Sequence, residues 1–79
     1  MKYPSGEDAR LGDTVSLGDR DQGVVVCSPD TNEFSERFPR SEWGSLEKGI
    51  LVEFNKLGLI HYMFPEPTLV LLGRSRNDQ

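Results

Sequence analysis

Only one cysteine and one histidine occur among the 79 residues of this chain. Cys27 by itself makes no internal disulfide and suits a reducing compartment, so a cytoplasmic location is expected. A zinc site needs three or four N, S or O ligands, and one Cys27, one His61 and scattered acids fall at no such spacing. DRDQG resembles a fragment of a calcium loop but lacks the alternating ligands and the distal glutamate. No glycine-rich loop opens a helix to hold phosphate, so no cofactor is expected. Long apolar runs are also missing. Nothing approaches the ~20 residues needed to cross a bilayer, and the opening MKYPSGEDAR has no apolar leader core. A membrane partner is therefore not expected.

Charge is plentiful but uneven. The net charge is −4, with −5 carried by residues 1–36 and +1 by the remainder. An acidic surface repels phosphates, which removes the usual driving force for nucleic-acid binding. Hydrophobic residues make up 35% of the chain, low for a globular domain, yet they cluster in short runs between turn formers. A folded domain follows, with a core near the minimum size for stability.

The runs are β-like. GDTVSL (12–17), GVVVCS (23–28), GILVEF (49–54), LIHYMF (59–64) and TLVLLG (68–73) are separated by GDRDQG, a long polar segment, NKLG and PEP. Valine and isoleucine favour the pleated backbone, and Pro29, Pro39, Pro65 and Pro67 all fall between runs. The expected fold is mostly β: a five-stranded barrel over residues 12–73. An N-terminal arm (1–11) precedes it, a frayed tail (74–79) follows, and a long, partly helical loop joins strands two and three. In NKLG, Gly58 is expected to be left-handed in a bulged turn, setting Phe54 opposite Ile60, Val52 opposite Tyr62 and Ile50 opposite Phe64. That register gathers six apolar side chains on one face and places His61 outward, beside Glu53.

GDTV, the glycine-rich turn, GVVV and the three later strands resemble the SH3-like small barrels, in particular the KOW and Tudor-like kind. The chain as a whole also resembles small bacterial proteins of uncharacterised function. The resemblance implies a barrel that binds a partner: RNA or ribosomal protein for KOW segments, methylated side chains or peptides for Tudor-like domains. Where a KOW segment would use bases, this chain has Asp19 and Asp21 around Arg20. A Tudor-like cage needs converging exposed rings, whereas the hairpin register assigns Phe54 and Tyr62 to the core.

Catalysis finds little support in the residues. Cys27 lies in a valine run, where an inert buried thiol is the default, so a Cys27–His61 dyad is disfavoured and no enzyme is expected. Asp19 and Asp21 are read as turn residues. The segment 29–48 is the informative one, because such a length without clear structure is functional or disordered, and its large apolar side chains argue against disorder. It holds Phe34, Phe38, Trp43 and Leu46, with Ser41 as a candidate cap of one helical turn. Two roles stay open: these side chains plug an open end of the barrel, or they form a partner-binding patch. The candidate site comprises Phe34, Arg37, Phe38, Arg40, Trp43 and Lys48, since Trp and Arg dominate interface hot spots. The expected function is a non-enzymatic binding module for a protein or peptide. The alternative, a KOW-like nucleic-acid-associated protein, requires a basic patch from Arg37, Arg40, Lys48 and Lys56.

Overall fold

Asp21, an acid at the head of the valine strand, is buried beneath a turn more than thirty residues away in sequence. The computed structural model describes residues 1–74 and shows why. Six strands form: β1 (Thr14–Leu17), β2 (Asp21–Ser28), β3 (Glu33–Phe34), β4 (Ile50–Phe54), β5 (Gly58–Tyr62) and β6 (Leu69–Gly73). All pair antiparallel in one sheet of order β5-β4-β2-β1-β6, with β3 joined to the end of β2. β5 and β6 do not pair with each other, so the sheet is open and not a closed barrel. The strand missing from the five-strand expectation is β3. A 3-10 turn, Pro29–Thr31, leads to Asn32 at φ 59°, and this left-handed residue sends the chain straight back along β2.

Two apolar clusters lie on opposite faces of this sheet. The inner face gathers Val15, Val25, Ile50, Val52, Phe54 and Leu69, completed by Tyr3 and Ala9 from the first eleven residues. That arm is thus partly core. Tyr3 donates its hydroxyl to the Asp13 carboxylate at 2.6 Å, and the Arg10 N–H donates to the same oxygen at 2.9 Å. Burial and the Asp13 carboxylate push the Tyr3 phenol far above its ordinary range, so it stays a donor. On the outer face, buried Cys27, Phe38 and Leu51 meet Phe34, Trp43 and Leu46.

A bulge in β2 makes the two faces possible. Val25 opposes Val52, but Cys27 opposes Leu51, leaving Val26 as an extra residue. Residues Asp21, Gly23 and Val25 point inward, and the inserted residue turns Cys27 outward beside Leu51.

The β4–β5 hairpin closes two residues earlier than expected. Phe54 opposes Gly58, Val52 opposes Ile60 and Ile50 opposes Tyr62, while Phe64 lies past the strand and is 66% exposed. Gly58 is left-handed as expected, at φ 82°. The face assignment survives, because a shift of two residues preserves alternation. The neighbours change: His61 opposes Leu51, and Glu53 opposes Leu59, so Glu53 and His61 are not a pair. The cause is Asp21, whose carboxylate accepts the Lys56 and Leu57 N–H groups at 2.7 and 2.8 Å and locks a three-residue connection. The helical expectation shrinks to one turn, α1 (Arg40–Trp43), opened by Pro39 and ended at Gly44. Ser41 sits inside that turn and caps nothing. The expected tail lies outside the described residues except for Arg74.

Burial pushes the Asp21 carboxyl up, but the N–H groups of Leu57, Lys56 and Gln22 outweigh it and hold it below the usual range. A folded-state value below the unfolded one stabilises at neutral pH, and this is lost as pH falls through the acid range. Asp21→Ala is therefore expected to lower the thermal midpoint at pH 7 clearly more than Asp19→Ala, with the gap narrowing in acid. Melting both variants at pH 7 and pH 3 checks this.

Gly49 stands at φ 86° just before β4, and a Cβ there would overlap the carbonyl oxygen of Tyr62. Gly49→Ala is expected to destabilise by about 2 kcal/mol or more, because strain and overlap add. Urea unfolding measures the difference.

Candidate partner-binding site

Residues 29–48 cross the outer face of β2 and β4 and are fastened there at several points. The Ser35 hydroxyl donates to the Val26 carbonyl at 2.8 Å, occupying a group that the bulge displaces. Ser35 and Phe38 exchange backbone hydrogen bonds at 3.1 and 3.3 Å, closing a tight turn. That turn presses Phe38 onto Leu51 and Cys27, whose thiol donates to the Phe38 carbonyl at 3.2 Å. Burial pushes the thiol above its usual range, which disfavours the reactive thiolate. Trp43, at the end of α1, tilts against Phe38 with ring centroids 5.4 Å apart.

The arm fastens the other side. Glu33 accepts both ends of the Arg10 guanidinium at 3.0 and 2.9 Å, the Leu11 N–H at 3.1 Å and the Thr31 hydroxyl at 2.7 Å. These donors, Arg10 first, hold its carboxyl down at about 2.

Of the six candidate residues, five gather on this face. Phe38 is buried, Phe34 and Trp43 are half-buried, and Arg37 and Arg40 are exposed. The Arg40 guanidinium lies 4.8 Å from the Phe34 ring centre and that of Arg37 lies 5.3 Å from Phe38. Arg37 also grips Glu53 through two hydrogen bonds at 3.1 and 3.2 Å. Lys48 turns elsewhere, with its ammonium 4.8 Å from the Phe64 ring. The aromatics therefore cover the outer sheet face and do not plug an end of the inner core, where Tyr3 and Ala9 lie.

Beside this cover runs an open groove of about 690 Å³. Val24 and Val26 form its floor, the Ser35–Phe38 turn one wall, and Leu11, Gly12, Thr14, Gly73 and Arg74 the other. Val24 is 42% exposed there. Arg74 is held by Glu7 at 3.3 Å and by the Asp8 carbonyl at 2.7 Å. Thr14, Val24 and Arg74 were not candidates from sequence. An alternating strand hides which face is left uncovered, although the valine run was a signal.

Cys27 and His61 stand on either side of Leu51, in strands separated by β4. Their polar atoms have other partners, since His61 Nε2 lies 3.0 Å from the Lys48 carbonyl. Among the described residues, no three His, Cys, Asp or Glu side chains converge as metal ligands. No helix among them is long and apolar enough to cross a membrane. No family model, curated protein or solved structure matches this chain.

Glu33 has a folded value below the unfolded 4.5, so its stabilisation is present above that pH and fades as pH falls towards 2. Glu33→Gln is expected to cost roughly 1–2 kcal/mol at pH 7, discounted because Arg10 is half exposed to screening solvent, and little at pH 2.5. Urea unfolding of both proteins across this range checks the sign.

Trp43→Ala removes half of a tilted aromatic pair from the smaller cluster. A loss of about 2–3 kcal/mol is expected, below the full core value because the indole is only half-buried. Denaturant midpoints with unchanged slopes measure it.

Proposed function

We propose that this chain is a small non-enzymatic binding module, an SH3-like barrel left open along one seam, that holds an extended segment of a protein partner. Two features support the SH3-like reading: the consecutive antiparallel strands, and a last strand that returns to pair with the first. The function rests chiefly on the groove beside β2. Its floor is a strand surface with exposed valine, and an extended peptide matches such a surface in length and side-chain spacing. Arg37 and Arg74 stand on opposite walls, where a guanidinium offers hydrogen bonds to peptide carbonyls or carboxylates.

In this reading Arg37 contacts the partner, while Phe34, Phe38, Arg40 and Trp43 hold the wall in shape. Lys48 supports neither role, being turned to Phe64. The KOW-like alternative is weaker, because the chain as a whole is acidic. The single buried thiol fits work in the cytoplasm.

The test is affinity capture from a cytoplasmic extract with wild type, Val24→Asp and Trp43→Ala, followed by titration of each purified captured protein. Val24→Asp places a charge on the groove floor at an exposed position. Because the new carboxylate would face Glu53 across the β2–β4 ladder, the variant is expected to stay folded but melt below wild type, and to bind the partner about tenfold or more weakly, a change of ~1.4 kcal/mol. Equal binding by Val24→Asp and wild type would refute the groove.

A further inference from the structure

Three charged side chains line the groove beside β2: Glu36, Arg37 and Arg74. The acids that hold the two arginines lie outside the lining. Arg37 donates one N–H from each terminal nitrogen to Glu53, at 3.2 and 3.1 Å. Arg74 donates through Nη2 to the Asp8 carbonyl at 2.7 Å, with Glu7 at 3.3 Å and buried Asp13 at 3.7 Å. Asp13 is itself engaged by the Tyr3 hydroxyl and the Arg10 N–H. A guanidinium has more donors than these contacts use. Among the described residues, the N–H groups of Arg74 Nη1 have no acceptor. Arg74 is therefore ordered in advance and keeps a pair of donors for a ligand. A carboxylate bonds such donors roughly twice as strongly as a neutral carbonyl does. Arg37 is a poorer place for one. Its neighbour Glu36 has no ion pair among the described residues and repels an acid.

Room for an apolar side chain lies next to Arg74. Val24, Thr14 and Gly73 form one cross-strand row in the groove lining. Val24 is 42% exposed. Gly73 has ordinary strand backbone, so its conformation does not demand glycine. A Cβ there would meet no atom within 4 Å beyond its chain neighbours. The bare position leaves that end of the row open. We propose that the partner segment carries a large apolar residue seated on this row and, directly beside it, one Asp or Glu bound by Arg74. This rests on the reading of the groove as a peptide site. A single carboxylate is matched there, whereas a run of acids or phosphates would meet Glu36 and the acidic surface beyond. Gly73 thus sets how large an apolar residue fits, and Arg74 sets the charge beside it.

Selection of a random peptide library displayed on phage against the full chain tests this. The expected result is enrichment of one Asp or Glu next to Leu, Ile, Met or Phe, without acidic runs. An enriched peptide, and its form with the acid replaced by the matching amide, are then titrated by fluorescence anisotropy. That change alters the ligand and leaves the protein untouched. The amide form is expected to bind wild type about tenfold more weakly than the parent peptide, and to bind Arg74→Gln equally with it, the mark of a direct pair. Arg37→Gln should keep the difference. Gly73→Leu is expected to bind neither form, at unchanged circular dichroism. Peptides that lose affinity in Gly73→Leu but carry no acid, or whose amide form binds wild type equally, overturn this proposal and leave the groove reading standing. So does an amide difference that persists in Arg74→Gln. An empty selection, or peptides that bind Gly73→Leu and Val24→Asp as tightly as wild type, overturns both.

Discussion

One extra residue in β2, Val26, decides how the rest of this molecule is arranged. A regular strand would carry its buried positions on a single face, and Cys27 would join Val25 in the inner core. The bulge instead turns Cys27 towards Leu51 on the outer face. That face must then be covered, and residues 29–48 supply the cover through Phe34, Phe38, Trp43 and Leu46. The same displacement turns the Val26 carbonyl towards the Ser35 hydroxyl, which fixes the turn that carries Phe38. The groove exists because this cover stops short of Val24. The second apolar layer and the candidate site therefore share one local cause.

Polar side chains do the joining that a larger core would do by area. A domain of this size buries too little surface to tolerate loose segments. Asp13, Asp21 and Glu33 each accept hydrogen bonds from groups distant in sequence. Asp13 binds the arm through Tyr3, Asp21 sets the length of the β4–β5 connection, and Glu33 ties the arm to β3. Among the described residues, no fully buried side-chain nitrogen or oxygen is left without a partner. The acidic bias of residues 1–36 thus has an internal purpose as well as a surface one.

The alternation of apolar residues made the strands legible, and the prolines marked their ends. Gly58 announced the left-handed turn, and the hairpin faces followed from parity alone. The pairing of Glu53 with His61 failed because the turn length is set by Asp21, a contact across the fold that no local pattern reveals. β3 was missed because two residues carry no period, and the bulge was invisible because VVV reads the same on either face. The five aromatic and arginine residues that do gather were identified from composition, whereas Val24 and Thr14 were not. Whether a valine is covered depends on what crosses it, which is a tertiary property.

If the bulge binds both layers to β2, the layers should lose structure together. The direct measurement is the rate at which Cys27 reacts with a neutral thiol reagent in the native state at several urea concentrations below the unfolding midpoint. The account predicts that exposing the thiol costs the global unfolding free energy to within about 1 kcal/mol, with the same urea dependence. Labelling at a much lower free energy, with little dependence on urea, would show that the 29–48 cover opens by itself, and would contradict the single cooperative unit described above.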